Sequence, residues 1–114
     1  MELVMRLKGI TIGRTLREQI ADHLEAAFRR LSKRIRAVSL SLEDTNGPRG
    51  GLDKDCQITV QLHRGGTIRS RCTDADLITA INLATDRATH TAVRRLERRR
   101  KRTARIQSRN PSED

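Results

Sequence analysis

Arg87, His90, Arg94, Arg98 and Lys101 recur at intervals of three and four residues, the spacing that brings side chains onto one face of a helix. Arg95, Arg99 and Arg102 add a flanking row. Guanidinium groups about 5 to 6 Å apart can follow a phosphate backbone with bidentate hydrogen bonds, chemistry that the planar fork of Arg performs better than a Lys ammonium. A helix face serving solubility alone would mix signs, whereas only Glu97 stands among the ten basic residues between 87 and 109. These eight residues are therefore the candidate RNA-binding set.

A second candidate is the segment Asp44-Thr45-Asn46-Gly47-Pro48-Arg49-Gly50-Gly51-Leu52-Asp53-Lys54. Its glycines match no P-loop, because no Gly-Lys-Ser/Thr follows at a helix start, but backbone amides with Arg49 and Lys54 have the chemistry to meet a phosphate. Turn formation alone also accounts for the glycines.

No catalytic constellation emerges. Asp53 and Asp55 bracket Lys54 ahead of a strand, and Asp74 and Asp76 suit helix capping better than acid–base work. Cys56 and Cys72, with scattered His23, His63 and His90, lack metal-ligand spacing, and the two cysteines are expected as free buried thiols lying diagonally across a strand pair. The chain is thus expected to be no enzyme and to need neither metal nor cofactor.

The elements that must carry these residues follow from periodicity. Leu3, Met5 and Leu7 alternate with polar or charged neighbours, as do Val38, Leu40 and Leu42, then Cys56, Ile58, Val60 and Leu62, then Ile68, Ser70 and Cys72. Four half-buried strands are predicted. Between the first two, Leu16, Ile20, Leu24, Ala27, Phe28 and Leu31 have helical spacing from about Arg14 to Lys33, with a Thr15/Glu18 capping box and Gly13 as competing starts. Arg64-Gly65-Gly66 reads as a three-residue hairpin loop, placing Leu62 opposite Ile68 and Ile58 opposite Cys72. A last helix starts near Thr73 or Asp74, with Asp76 as capping-box acid, and buries Leu77, Ile81, Ala84, Ala88 and Ala92. Its apolar seam gives out near Ala92 or Leu96 while helical propensity continues, so it should project past the core.

The order β-α-β-β-β-α implies an α+β two-layer sandwich, a four-stranded mixed sheet with both helices on one face, as in double-stranded-RNA-binding domains. Residues 1–102 are expected to form one domain and 103–114 a disordered basic tail. At 114 residues, a second catalytic or regulatory domain does not fit. Phe28 is the single aromatic residue, which argues against modules that stack bases on exposed rings. The formal charge of +10 is concentrated late: residues 87–114 hold ten basic and three acidic side chains. Such a field favours a polyanionic partner. Neither a membrane span nor a signal peptide can be drawn, so a cytoplasmic location is expected and no membrane partner.

With these residues in place, the chain resembles the ribosome hibernation-promoting factor and ribosome-associated inhibitor family in its short, single-domain form, over roughly residues 2–100. The resemblance rests on the element order, Leu16-Arg17-Glu18, Gly65-Gly66-Thr67-Ile68, Asp76-Leu77-Ile78-Thr79-Ala80-Ile81-Asn82, Asp86-Arg87 and the basic run after it. The segment from Leu42 to Cys56 looks like a loop signature of one proteobacterial branch, and its loop from Asp44 to Lys54 is longer than in the best-known short members. The resemblance implies a non-enzymatic translation regulator. It would bind the small ribosomal subunit and its ribosomal RNA in the channel between the subunits, holding idle ribosomes silent under stress or starvation, and would be a monomer off the ribosome with no small-molecule substrate. Arg87 matches a basic position of the family's last helix, and Arg94 and Arg95 match its continuing basic run. The residues alone leave open a general double-stranded-RNA-binding or architectural protein without ribosome preference.

Overall fold

The computed structural model of the chain describes residues 1–45 and 53–108, with 103–108 described as helical backbone only. Strand β1 (Glu2–Lys8) leads to helix α1 (Arg14–Phe28) and a 3-10 segment (Arg29–Arg34). Strands β2 (Ile35–Asp44), β3 (Lys54–Leu62) and β4 (Thr67–Asp74) follow, then helix α2 (Leu77–Ser108). The sheet order is β1-β2-β3-β4, with β1 parallel to β2 and the other pairs antiparallel. The predicted α+β sandwich with a mixed sheet is the observed one.

Period-2 alternation works as expected: Val38, Leu40, Leu42, Cys56, Ile58, Val60, Leu62, Ile68 and Cys72 are buried on one face of the sheet. Ile20, Leu24 and Phe28 from α1, and Ala80, Ile81, Ala84, Ala88, Ala92 and Leu96 from α2, close one core over them. With a single aromatic ring available, that core is almost wholly aliphatic, and Phe28 and Leu24 lie at its centre with no exposed surface. Arg36 is the extra residue of an irregularity in β2, where Ile35 opposes Leu62 but Ala37 opposes Gln61.

Several boundaries differ from those read off the sequence. Helix α1 ends at Phe28 instead of continuing to Lys33, because the next six residues wind more tightly and deliver Ile35, fully buried, to the start of β2. The Thr15/Glu18 capping box does not form. Gly13 is the N-cap, its carbonyl accepting from the Arg17 N–H at 3.0 Å, and Glu18 lies 3.5 Å from Arg14 on the exposed surface. Helix α2 starts at Leu77 rather than near Thr73, which is still paired with Asp55 in β4. Asp76 itself is the cap: its Oδ2 accepts from the Thr79 N–H (3.0 Å) and hydroxyl (2.8 Å), and its carbonyl from the Ala80 N–H (3.1 Å).

The β3–β4 hairpin is shifted by two residues from the expected register. The Leu62 N–H donates to the Gly66 carbonyl (3.0 Å), so the loop is His63-Arg64-Gly65 and Gly66 belongs to the pairing. Gly65 and Gly66 have φ of +114° and +84°, backbone that other residues rarely adopt. Parity is preserved, so the buried set is unchanged, but Cys56 now stands directly opposite Cys72 and not diagonal to it. Both thiols are free and buried. Burial, with smaller contributions from Cys72 and Asp55, pushes the Cys56 thiol up to about 12, which suppresses the reactive thiolate.

The helix runs on to Ser108, beyond the expected boundary at 102, because nothing from Thr103 to Ser108 is Gly or Pro. Residues 109–114 of the anticipated tail, and Arg49 with the rest of 46–52, lie outside the described residues. Among the described residues, no helix is long and apolar enough to cross a membrane.

Two consequences are testable. Leu24→Ala should cost about 2 to 5 kcal/mol in urea unfolding, since Leu24 is fully buried and its neighbours collapse only partly into the cavity. The bonds from Thr79 hold the Asp76 carboxyl below its ordinary value. The unfolded chain therefore takes up this proton first, and the cap's stabilisation, complete above the ordinary carboxylate range, is lost as pH falls through the folded value. Asp76→Asn keeps a capping acceptor but cannot titrate, so its unfolding temperature should fall less than the wild type's on acidification.

Candidate nucleic-acid interface

Four alanines at four-residue intervals, Ala80, Ala84, Ala88 and Ala92, are completely buried and bring α2 close against β3 and β4. Leu96 is the last buried residue of the helix, and every side chain from Glu97 to Arg102 is exposed. The axis continues to Ser108, roughly 18 Å past Leu96 at 1.5 Å per residue. The projecting rod anticipated from the pattern is present.

At 100° per residue, Arg87, Thr91, Arg94, Arg98 and Lys101 fall within a sector of roughly 80° beside the alanine seam. Arg95 and Arg99 instead continue the seam itself, and so come down over the β3–β4 hairpin. Arg95 Nη1 donates to the carbonyls of Gly65 (3.2 Å) and Thr67 (3.0 Å). The Cδ of Arg99 lies 3.3 Å from where a Cβ on Gly65 would be, so the glycine makes room for this stem. Arg87 Nη1 makes a longer contact, 3.5 Å, to the carbonyl of Arg71.

Strand β4 ends the sheet, and Leu62–Gly66 bonding fixes which of its backbone groups face inward. Ile68, Ser70 and Cys72 bond to β3, leaving the N–H and C=O groups of Thr67, Arg69 and Arg71 on the open edge. Helix and strand run antiparallel in matched steps: Arg87 to Arg95 spans about 12 Å of helix, and Thr67 to Arg71 about 13 Å of strand. The arginine sector of α2 therefore faces this open edge, and Arg69 and Arg71, both exposed, extend it sideways.

Charge is distributed unevenly over this surface. Arg71 is matched by Asp55 through Nε (2.9 and 3.0 Å) and Nη2 (2.8 Å), a bidentate pair over a buried carboxylate. Among the described residues, Arg69, Arg94, Arg98, Arg99, Lys101 and Arg102 have no carboxylate partner. Glu97 points to the far side of the helix from the seam. Lys54 is differently placed: its ammonium sits between Asp44 (3.0 Å) and Asp53 (3.2 Å), whose hydrogen bonds raise its pKa, so it is no free cation for a phosphate. The structure does not bring Lys54 to the α2 sector, and Arg49 lies outside the described residues.

Among the described residues, recesses border α2 on two sides. One, of 580 Å³, lies between α1 and α2, with Ala27, Leu31, Val93 and Leu96 among its lining and Arg30, Arg34 and Arg100 at its rim. The other, of 410 Å³, lies between α2 and the β4 edge and includes Arg69, Ser70, Arg87, His90, Thr91 and Arg94. His90 lines both. Sequence spacing identified the helix arginines; it gave no sign of Thr91 and Ser70, which join them only through the antiparallel match of strand and helix.

Residues 3–101 match the family described as Sigma 54 modulation protein / S30EA ribosomal protein. Among solved structures, a ribosomal subunit interface protein from Coxiella burnetii is 20% identical, with a TM-score of 0.65 over 80% of this chain and 92% of that one. The N-terminal domain of Protein Y from Thermus thermophilus is 23% identical, with a TM-score of 0.67 over 82% and 98% of the two chains. At such identities these two show a shared fold. No curated protein matches the sequence significantly.

Because Arg95 bonds backbone on both sides of the loop end, Arg95→Ala should loosen the hairpin locally. Amide exchange at Leu62 and Ile68 is expected to accelerate at least ~10-fold while core amides of β2 keep their rates.

Proposed function

Given that the chain belongs to the Sigma 54 modulation protein / S30EA ribosomal protein family, we propose that it binds the small ribosomal subunit at the subunit interface and holds ribosomes inactive under stress or starvation. It does so without catalysis, in the cytoplasm, and as a monomer until it docks. The family is ribosome-associated, and one of the solved structures sharing the fold is called a ribosomal subunit interface protein, which supports this site of action.

The observation that carries the reading is the uncompensated cationic sector of α2, from Arg87 through Arg94, Arg98 and Lys101, mounted on a rod that leaves the core at Leu96. Ribosomal RNA presents phosphates on rigid, curved surfaces. A rigid helix already holding its guanidiniums in line loses little freedom when it meets them. Arg95 and Arg87 take part with the donors that their strand contacts leave over, since a guanidinium has five N–H groups. Arg99 and Arg102 widen the contact beyond the hairpin, and His90 lies at its margin.

If about five phosphates are neutralised, the logarithm of the ribosome-binding constant should fall against the logarithm of salt concentration with a slope of order −4. Co-sedimentation with small subunits across a salt series measures it. Arg94→Glu with Arg98→Glu should reduce binding at least ~100-fold and flatten the slope. Binding that ignores salt, survives the charge reversal, or is displaced equally by excess generic duplex RNA contradicts the proposal.

A further inference from the structure

We propose that the recess between the open edge of β4 and α2 is a phosphate-binding site, holding one phosphoryl or phosphodiester group between Arg69, Thr91 and Arg94. It deepens the ribosome reading by naming a point of contact, and rests on that reading only for the polymer that would carry the phosphate.

The site is built by both elements. Arg95 bonds the edge carbonyl of Thr67 and Arg87 reaches that of Arg71, so the two ends of the strand edge are tied to the helix. Arg69 lies between these ties, its backbone N–H directed outward by the β3–β4 pairing. Thr91 lies midway between Arg87 and Arg95 in the helix and lines the same 410 Å³ recess, offering a hydroxyl. Arg94 supplies an unpaired guanidinium from the helix wall, and Arg69, likewise without a carboxylate partner among the described residues, borders the recess on the strand side, with His90 and Arg87 beside them. Arg71 contributes little net charge because Asp55 holds it.

An independent feature lies in the same place. Ser70 is 8% exposed and lines the recess, and its Oγ is the one buried side-chain polar atom among the described residues without a hydrogen-bond partner. Buried hydroxyls are rarely left unmatched, and a phosphate oxygen supplies the acceptor this one lacks. Here strand and helix donors lie on two sides of one recess, the geometry that a tetrahedral anion rewards.

The test uses the isotope-labelled full chain titrated with inorganic phosphate against chloride at matched ionic strength. Saturable shifts are expected at the Arg69 and Thr91 amides and at Arg94 Nε–H. Arg69→Ala with Arg94→Ala, both exposed positions, should weaken phosphate at least ~10-fold with the amide spectrum otherwise retained, and Arg17→Ala on α1 should leave it unchanged. Arg69→Lys with Arg94→Lys keeps the charges and should give an intermediate loss. Non-saturating shifts spread over all arginines, or affinity indifferent to the double alanine variant, overturn the site.

Two competitors identify the source. Displacement of phosphate by duplex RNA with hydroxyl ends assigns the recess to an RNA backbone, and displacement by adenosine 5′-monophosphate alone assigns it to a free nucleotide. Both support the site, and displacement by neither overturns it. Ribosome co-sedimentation in parallel separates the two proposals. Saturable phosphate binding without co-sedimentation removes the ribosome reading alone, whereas co-sedimentation without it removes the recess alone.

Discussion

The close antiparallel packing of α2 along β3 and β4 is the constraint from which the other features follow. Four alanines remove the side-chain bulk that would hold helix and sheet apart, and the Arg95 and Arg87 contacts to strand carbonyls set how the helix is registered along the edge. A helix anchored over its first twenty residues can extend a further dozen as a rod, because propagation needs no new nucleus. It also covers part of a sheet edge that would otherwise offer unpaired backbone groups to another chain.

Electrostatics sorts along the same axis. In the body, conspicuous charges are matched at short range: Asp55 with Arg71, and Lys54 with Asp44 and Asp53. From Arg98 to Arg102 on α2 they are not. Self-repulsion among neighbouring arginines is tolerable there because the groups are fully hydrated, and it is relieved when phosphates replace condensed counterions. On the proposed reading, the helix holds this energy in a form that appears only with a polyanion present.

The strands, the core faces and the arginine spacing were legible in the sequence because each is a local periodicity. What was not legible depends on contacts between distant residues. Thr73 reads as a helix start until Asp55 pairs with it across the sheet, and Lys54 reads as a free cation until Asp44 and Asp53 close on it. The hairpin register is not legible because two consecutive glycines permit either closure, and only the Leu62–Gly66 hydrogen bond chooses between them. Spacing sets Arg95 on a flanking row beside Arg94, but only the tertiary contact shows that Arg95 bonds the hairpin carbonyls of Gly65 and Thr67. The recess at Arg69 needs both the sheet order and the helix direction, neither of which a run of residues encodes.

On the proposed reading, one flank of α2, with the adjoining strand edge, meets ribosomal RNA. The most direct measurement is arginine modification by a dicarbonyl reagent, read by mass spectrometry, with the chain free and then bound to small subunits. Arg94, Arg98 and Arg69 are expected to lose reactivity on binding while Arg14 and Arg17 of α1 keep theirs. Undiminished reactivity at Arg94 and Arg98 in the bound state, or protection centred on α1, would contradict it.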